Sequence, residues 1–143
     1  MTQKYELLEI NTDGGARGNP GPAAIGAYAA SNGKKIFTVS ETIGETTNNV
    51  AEYTAVIRSL EVIDQKDISV DKLKFILDSE LIVKQILGQY KVKQPHLKIL
   101  RQQIADLVTK LKEKGQINLM TFIHVPREQN KSADTLVNKA LDK

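Results

Sequence analysis

The hydrophobic positions in the first third of the chain are typical of β-strands. Apolar side chains alternate or cluster in residues 1–13, 23–30 and 36–43, and a glycine- and proline-rich stretch at 14–22 and a turn at Gly33 separate these segments. Glycine and proline favour tight turns between such runs. Because short connections join the successive strands, the pattern predicts an antiparallel meander of three strands.

The rest of the chain alternates helical and extended spacing. Apolar residues at intervals of three and four predict helices, and shorter apolar runs predict strands. In order, the segments are a helix that Asn48 caps, a strand at 72–78, a helix from Ser79 to Gly88, a helix from Pro95 to Gly115, a strand at 117–125 and a helix from about Lys131. Helices precede the last two strands, which predicts that these strands lie parallel to the first strand through right-handed crossovers. We therefore expect one α/β domain over residues 1–143, built on a five-stranded mixed sheet covered by helices.

Charge is distributed unevenly along the chain. The 20 lysines and arginines and 17 acidic residues give a net charge of +3, yet residues 84–114 carry eight basic and two acidic side chains. Clustered cations release counterions when they meet phosphates, so this basic window indicates a polyanion lying across one face. A solvated lysine-rich helix is the alternative interpretation of the same pattern.

The composition excludes several classes of chemistry. The 143 residues contain no cysteine, which rules out disulfides, cysteine nucleophiles and thiolate metal sites. No run of about 18 uncharged apolar residues occurs, so we expect no association with a membrane. The sequence shows no export signal and no coiled-coil heptads, and we expect a cytoplasmic monomer.

Four acidic residues stand where predicted elements begin or end. Asp13 and Asp78 close two strands, and Glu52 and Asp134 lie in the first turns of two helices. If the two strands are parallel neighbours, Asp13 and Asp78 emerge side by side at the carboxyl edge of the sheet, where open α/β sheets place their sites. An acid in the first turn of a helix also has a structural use, because it complements the helix dipole.

Four carboxylates brought close together predict bound cations, because their negative charges would otherwise repel one another. All-oxygen ligands favour magnesium or manganese over zinc. Two such ions about 4 Å apart form an arrangement suited to phosphodiester hydrolysis. The glycine-rich stretch at 14–22 lacks the Gly-Lys-Ser/Thr of a nucleotide-binding loop, and its glycines allow backbone amides to approach a sugar-phosphate chain.

Four blocks of sequence resemble the signature motifs of the type 1 ribonuclease H family. They are TDGGARGNPGP at 12–22, TTNNVAE at 46–52, Asp78-Ser79, and NKSAD at 130–134. The resemblance extends over nearly the whole chain, with the blocks in the family's order. It implies the α/β ribonuclease H-like fold, a five-stranded mixed sheet with helices on both faces. It also implies hydrolysis of the RNA strand of an RNA/DNA hybrid, which leaves 5′-phosphate and 3′-hydroxyl ends.

The resemblance implies a role for each matching residue. Asp13 would bridge two magnesium ions, for which manganese is a possible substitute. Asp134 would help hold the ion that activates water, and Glu52 and Asp78 would help hold the other. The residues implied to contact the hybrid are Gly14, Asn19, Thr47, Asn48, Asn49, Lys91 and Lys93.

Some features depart from the common family pattern. Many members carry a histidine in a flexible loop before the last aspartate; His124 and Arg127 are the two residues that could take its place here, and we favour Arg127 because it lies in a loop. The family's tryptophan-rich basic handle is missing, since only residues 88–95 join the two middle helices, and the chain resembles the handle-less, archaeal-like subgroup. The alternative function is a weakly catalytic module of the same fold that binds a hybrid or structured RNA, although retention of all four acids speaks against it.

Overall fold

The glycine-rich first third of the chain folds as three long antiparallel strands. The computed structural model describes residues 3–143, in which β1 (Gln3–Ala16), β2 (Gly21–Ser31) and β3 (Lys34–Thr46) pair in chain order. The predicted meander is confirmed, and the first two residues of its first strand, Met1 and Thr2, lie outside the described residues. β1 continues past its predicted end at Asp13, because the small residues that follow it pair with β2.

The second part of the chain adds two parallel strands to this meander. Its elements are α1 (Asn48–Gln65), β4 (Ile68–Leu77), α2 (Glu80–Ile86), α3 (Pro95–Glu113), β5 (Ile117–His124), a 3-10 turn (Arg127–Gln129) and α4 (Lys131–Leu141). The strand order across the sheet is β3-β2-β1-β4-β5, with β4 parallel to β1 and β5 parallel to β4. The prediction of a five-stranded mixed sheet is confirmed.

The residue that caps α1 is Thr47, whose hydroxyl accepts a hydrogen bond from the Val50 N–H at 3.3 Å. The prediction of Asn48 as the cap was wrong by one residue. Asn48 is already helical, and its side-chain oxygen accepts from the Ala16 N–H at 2.8 Å instead. Ser79 caps α2 as predicted.

The helices cover opposite faces of the sheet, and alternate residues of β2 face the two layers. Ile25 joins the main core on the side of α1, where Tyr53 is fully buried. The next residue, Gly26, lies under α4, and a Cβ there would stand 2.3 Å from the carbonyl oxygen of Ala133. Glycine at this position therefore allows α4 to approach the sheet closely. No helix within residues 3–143 is long and apolar enough to cross a membrane.

Candidate active site

Parallel pairing places Asp13 and Asp78 at the same level of the sheet. The last paired residues of β1 and β4 are Asn11 and Ile76, so each aspartate stands two residues further along its chain. Asp13 still belongs to β1, and Asp78 directly follows β4. The two side chains therefore meet at the carboxyl edge of neighbouring parallel strands.

Glu52 reaches this edge because a glycine lets α1 approach β1. A Cβ at Gly14 would lie 2.2 Å from the carbonyl carbon of Ala51, so a larger residue would push the helix away. Glu52 follows Ala51 and is held beside Asp13. It stands in the second turn of α1, not in the first turn as predicted, since α1 begins at Asn48. Glu52 therefore lies too far along α1 to interact with the free amides at the helix N-terminus, and its side chain lies at the sheet edge instead.

The carboxylates form a tight cluster of three with a fourth nearby. One oxygen from each of Asp13, Glu52 and Asp78 lies within 4.8 Å of the others. Asp13 and Glu52 are only 8% and 7% exposed, and Asp78 is half-buried. Asp134, in the first turn of α4, lines the same cavity of about 420 Å³. The structure thus brings three of the four predicted ligands into contact range and places the fourth in their cavity.

Burial and the charges of neighbouring carboxylates raise the pKa values of Asp13 and Glu52. Burial, followed by the charge of Asp78, raises the pKa of Asp13 to about 7. Burial, followed by the charge of Asp13, raises the pKa of Glu52 well above its ordinary value. The causes that raise both pKa values are burial and the neighbouring carboxylates.

The cluster has the properties of a site for divalent cations. All of its donors are carboxylate oxygens, which are the ligands that hard cations such as Mg²⁺ and Mn²⁺ prefer. In addition, Glu52 Oε2 is buried and has no hydrogen-bond partner among residues 3–143. A buried acceptor without a donor is costly, and a cation would satisfy it. The residues present therefore fit a metal centre.

We expect the metal-free protein to lose stability as the pH rises through the range in which Asp13 ionises. Its pKa is about 7 in the folded chain and 3.8 ordinarily, so the folded state keeps a proton that the unfolded chain releases. This stabilisation is complete below the ordinary pKa and is lost as the pH rises through the folded pKa. From the difference between the two pKa values, its upper bound is about 4 kcal/mol.

Thermal unfolding in chelator at about pH 5 and pH 8, with wild type beside Asp13→Asn, measures this loss. The wild type should lose more stability than the variant over that interval. Equal losses in the two proteins would contradict the assignment of the titration to Asp13.

Arg127 and His124 lie in different surroundings. Arg127 is exposed on the 3-10 turn and lines the acidic cavity. His124 ends β5, and its Nδ1 lies 3.9 Å from Oε2 of Glu80. It is not among the residues that line the acidic cavity. Of these two residues, the structure brings only Arg127 to the carboxylates.

Two of the asparagines predicted to contact substrate join the β1–β2 connection to the start of α1 at the rim of the cavity. Asn19 Oδ1 accepts from the Asn48 N–H at 3.0 Å, and Asn48 Oδ1 accepts from the Ala16 N–H. Both asparagines are exposed, and Asn48 lines the acidic cavity together with Gly14. Asn49 follows on α1 and is half-buried.

Lys91 and Lys93 lie apart from the acidic cavity, on the connection between α2 and α3. Lys91 lines a second groove of about 920 Å³, which Lys98 and Arg101 also line. The structure does not bring these lysines to the carboxylates. A ligand that touches both regions must extend across the surface from one to the other.

Asn130 is a site residue to which the sequence pattern assigns no role. Its side chain is fully buried, and its Nδ2 donates to the carbonyl oxygen of Thr12 at 2.9 Å and to Oδ2 of Asp78 at 3.2 Å. Two signals in the sequence point to it: Asn130 begins the block at 130–134, and it stands immediately before the last predicted helix, which by itself indicates a helix cap. The side chain makes no capping bond to α4, so its use is visible only in the folded chain.

Known proteins share sequence with nearly all of this chain. Residues 11–140 match the family described as reverse transcriptase-like. The ribonuclease HI of Halobacterium salinarum is 38% identical over 131 residues, which are 91% of this chain and 62% of that protein. A bifunctional protein of Mycobacterium tuberculosis is 38% identical over 135 residues, 93% of this chain and 35% of that protein. The chain therefore spans less than two thirds of the length of these relatives.

Solved structures resemble the fold over nearly its full length. LC11-RNase H1, isolated from compost, is 46% identical with a TM-score of 0.84, and the match covers 96% of each chain. The same protein in complex with an RNA/DNA hybrid is 45% identical with a TM-score of 0.86, over 94% of this chain and 96% of that one. Because the likeness holds in sequence and in fold over almost all of both chains, this chain belongs to the type 1 ribonuclease H family.

Proposed function

We propose that this protein is an endonuclease that hydrolyses the RNA strand of RNA/DNA hybrids, using two divalent metal ions and leaving 5′-phosphate and 3′-hydroxyl ends. The observation that carries the proposal is the cluster of Asp13, Glu52 and Asp78 within 4.8 Å at the sheet edge. Support comes from the likeness to LC11-RNase H1, which has been solved with an RNA/DNA hybrid.

The four carboxylates supply the donors for the ions, which we propose to be magnesium, with manganese as a substitute. Asp13 would contact both ions, because it is the carboxylate that feels the charges of both Asp78 and Asp134. Glu52 and Asp78 would complete the binding of one ion, and Asp134 would help hold the other. When bound, the ions activate a water for attack on the phosphodiester and stabilise the leaving oxygen.

The asparagines at the rim would distinguish the hybrid from other duplexes. The Oδ1 atoms of Asn19 and Asn48 accept backbone hydrogen bonds, so the amide Nδ2 groups are the ones left to face a ligand. Donors at this rim suit the 2′-hydroxyls displayed in a wide, shallow minor groove. The neighbouring Thr47 and Asn49 would extend the contact to the sugar-phosphate backbone of the hybrid. Because the minor groove carries little sequence information, we expect weak dependence on base sequence.

Lys91 and Lys93 would contact the same hybrid at a distance from the cut. They stand on the connection that replaces the family's handle, beside a groove with two further cationic side chains, Lys98 and Arg101. Such cations gain affinity from phosphates by releasing counterions. Their separation from the carboxylates makes them contacts for the nucleic-acid backbone and not for the reacting phosphate.

We expect Arg127→Ala to lower turnover on hybrid by about 10- to 100-fold, and His124→Ala to change it by less than about threefold. Arg127 lines the acidic cavity, where a guanidinium can pair with a phosphate. His124 faces Glu80 outside that cavity. Single-turnover rates of the two variants at saturating Mg²⁺ measure the difference. A larger loss in His124→Ala would return the assisting role to the histidine.

A substrate panel tests the proposed function. End-labelled RNA/DNA hybrid, single-stranded RNA, double-stranded RNA and double-stranded DNA are incubated with the protein in Mg²⁺, in Mn²⁺ and in chelator. The proposal requires metal-dependent cutting of the RNA strand in the hybrid. Saturable hybrid binding without cutting under either metal would favour the alternative, a binding module of this fold.

A further inference from the structure

Asn130 is hydrogen-bonded to the carboxylate of Asp78. We infer that it is a positioning residue that holds this carboxylate in the orientation needed to bind a metal ion. The inference rests on the proposed function, because it assigns the purpose of Asn130 to the metal centre of the same site. It differs from a purely structural role in its consequence, which is a change in metal affinity beyond any change in stability.

The side-chain amide of Asn130 has a hydrogen-bond partner at each polar atom. Its Nδ2 donates to the carbonyl oxygen of Thr12 and to Oδ2 of Asp78, and its Oδ1 accepts from Nδ2 of Asn11 at 2.9 Å. The residue is fully buried, so water does not compete for these bonds. Three partners from three directions fix the rotation of the amide.

The main chain of Asn130 connects the remaining parts of the site. Its N–H donates to the carbonyl oxygen of Arg127 at 3.0 Å, and its carbonyl oxygen accepts from the Asp134 N–H at 3.2 Å. Thr12, which its side chain contacts, directly precedes Asp13. One residue is therefore bonded to the strand that carries Asp13, to the carboxylate of Asp78, to the helical turn of Asp134 and to the turn of Arg127.

Among the three clustered carboxylates, Asp78 is the least enclosed by the fold. It follows the end of β4 and is half-buried, whereas Asp13 and Glu52 are buried. A hydrogen bond from Asn130 to Oδ2 restrains rotation of the carboxylate and leaves Oδ1 for a cation. Removing a hydrogen bond to a ligand of a metal site typically weakens metal affinity by about 10- to 100-fold.

Calorimetric titration of the substrate-free protein with Mn²⁺ tests the inference, with Asn130→Ala beside wild type. We expect the variant to bind Mn²⁺ at least about tenfold more weakly. In hybrid cleavage, its midpoint in Mn²⁺ should rise by a similar factor, and kcat should recover at saturating Mn²⁺ while KM for the hybrid stays near that of wild type. An unchanged Mn²⁺ affinity would overturn the inference.

Gln116→Ala is the matched control for loss of a buried amide. Gln116 is 2% exposed and donates from Nε2 to the carbonyl oxygens of Ile63 and Ile68, away from the carboxyl edge of the sheet. This variant should lose stability and keep the Mn²⁺ affinity of wild type. A similar loss of affinity in both variants would mean that Asn130 acts only through stability.

Asn11→Ala provides a second measurement if Asn130→Ala does not fold. It removes the bond that orients the Asn130 amide and leaves the two donor bonds in place, so we expect about a threefold loss of Mn²⁺ affinity. No loss in Asn11→Ala would then overturn the inference. Because calorimetry needs no substrate, the result also stands apart from the proposed function: a wild type that binds Mn²⁺ and cuts no hybrid would defeat the function alone.

Discussion

Asp13→Asn is expected to reduce cleavage of the RNA strand of a hybrid by at least about a thousandfold, which corresponds to about 4 kcal/mol of transition-state stabilisation. Asp13 is the carboxylate influenced by both Asp78 and Asp134. Its replacement by a neutral amide removes a negative oxygen donor from both proposed ions, so neither ion is held in place to activate water or the leaving group. The fold should survive, because the amide is isosteric and relieves the repulsion within the cluster.

Single-turnover cleavage at saturating hybrid and Mg²⁺ measures this loss, with thermal unfolding of the same preparations as the test of folding. Asp71→Asn is the matched control. Asp71 is an exposed aspartate of β4, away from the carboxyl edge, and it accepts a hydrogen bond from Asn118. That variant should cleave like wild type. Near-normal turnover by Asp13→Asn would remove Asp13 from the reaction.

Gly14→Ala is expected to destabilise the fold by about 3 kcal/mol or more, lowering the melting temperature by about 10 °C, and to impair cleavage with it. The added Cβ would lie 2.2 Å from the carbonyl carbon of Ala51 and 2.5 Å from the backbone nitrogen of Glu52. Both are backbone atoms, so the strain can be relieved only by moving α1 away from β1. That movement separates Glu52 from Asp13 and opens the metal cluster.

Gly15→Ala is the matched control at the next position. Its Cβ would meet only Cγ1 of Val137, at an ordinary contact distance of 3.8 Å. We expect its stability to stay within about 0.5 kcal/mol of wild type. Thermal unfolding of the two variants measures the difference. Equal behaviour of the two variants would mean that the approach of α1 to β1 is not what positions Glu52.

The mixed five-stranded sheet could be predicted from the sequence, because it follows from periodicity and chain connectivity. The meeting of Asp13 with Asp78 could be predicted on the condition that the first and fourth strands are neighbours. Helical segments before the fourth and fifth strands dictate parallel crossovers. Parallel neighbours then bring their carboxyl ends to one edge, which Asp13 and Asp78 occupy in the structure. These inferences need only the direction of each strand and not the packing of any side chain.

Details of one residue or one helical turn could not be predicted. Thr47 and Asn48 are both good helix caps. The choice between them depends on the hydrogen bond that Asn48 Oδ1 accepts from the N–H of Ala16, which is distant in sequence. The shift by one residue also moves Glu52 into the second turn. The use of Asn130 was equally hidden, because its partners Thr12 and Asp78 are far away in sequence. Contacts of this kind depend on how α4 packs on the sheet, which local pattern does not specify.

Identification of the cut strand and its new ends is the most direct test of the central claim. A hybrid labelled separately on each strand is incubated with wild type in Mg²⁺, with wild type in chelator, and with Asp13→Asn in Mg²⁺. We predict internal cuts in the RNA strand alone, with 5′-phosphate and 3′-hydroxyl ends, and only for wild type in Mg²⁺. Cutting of the DNA strand, the opposite placement of the phosphate, or no cutting by folded wild type in Mg²⁺ would contradict it.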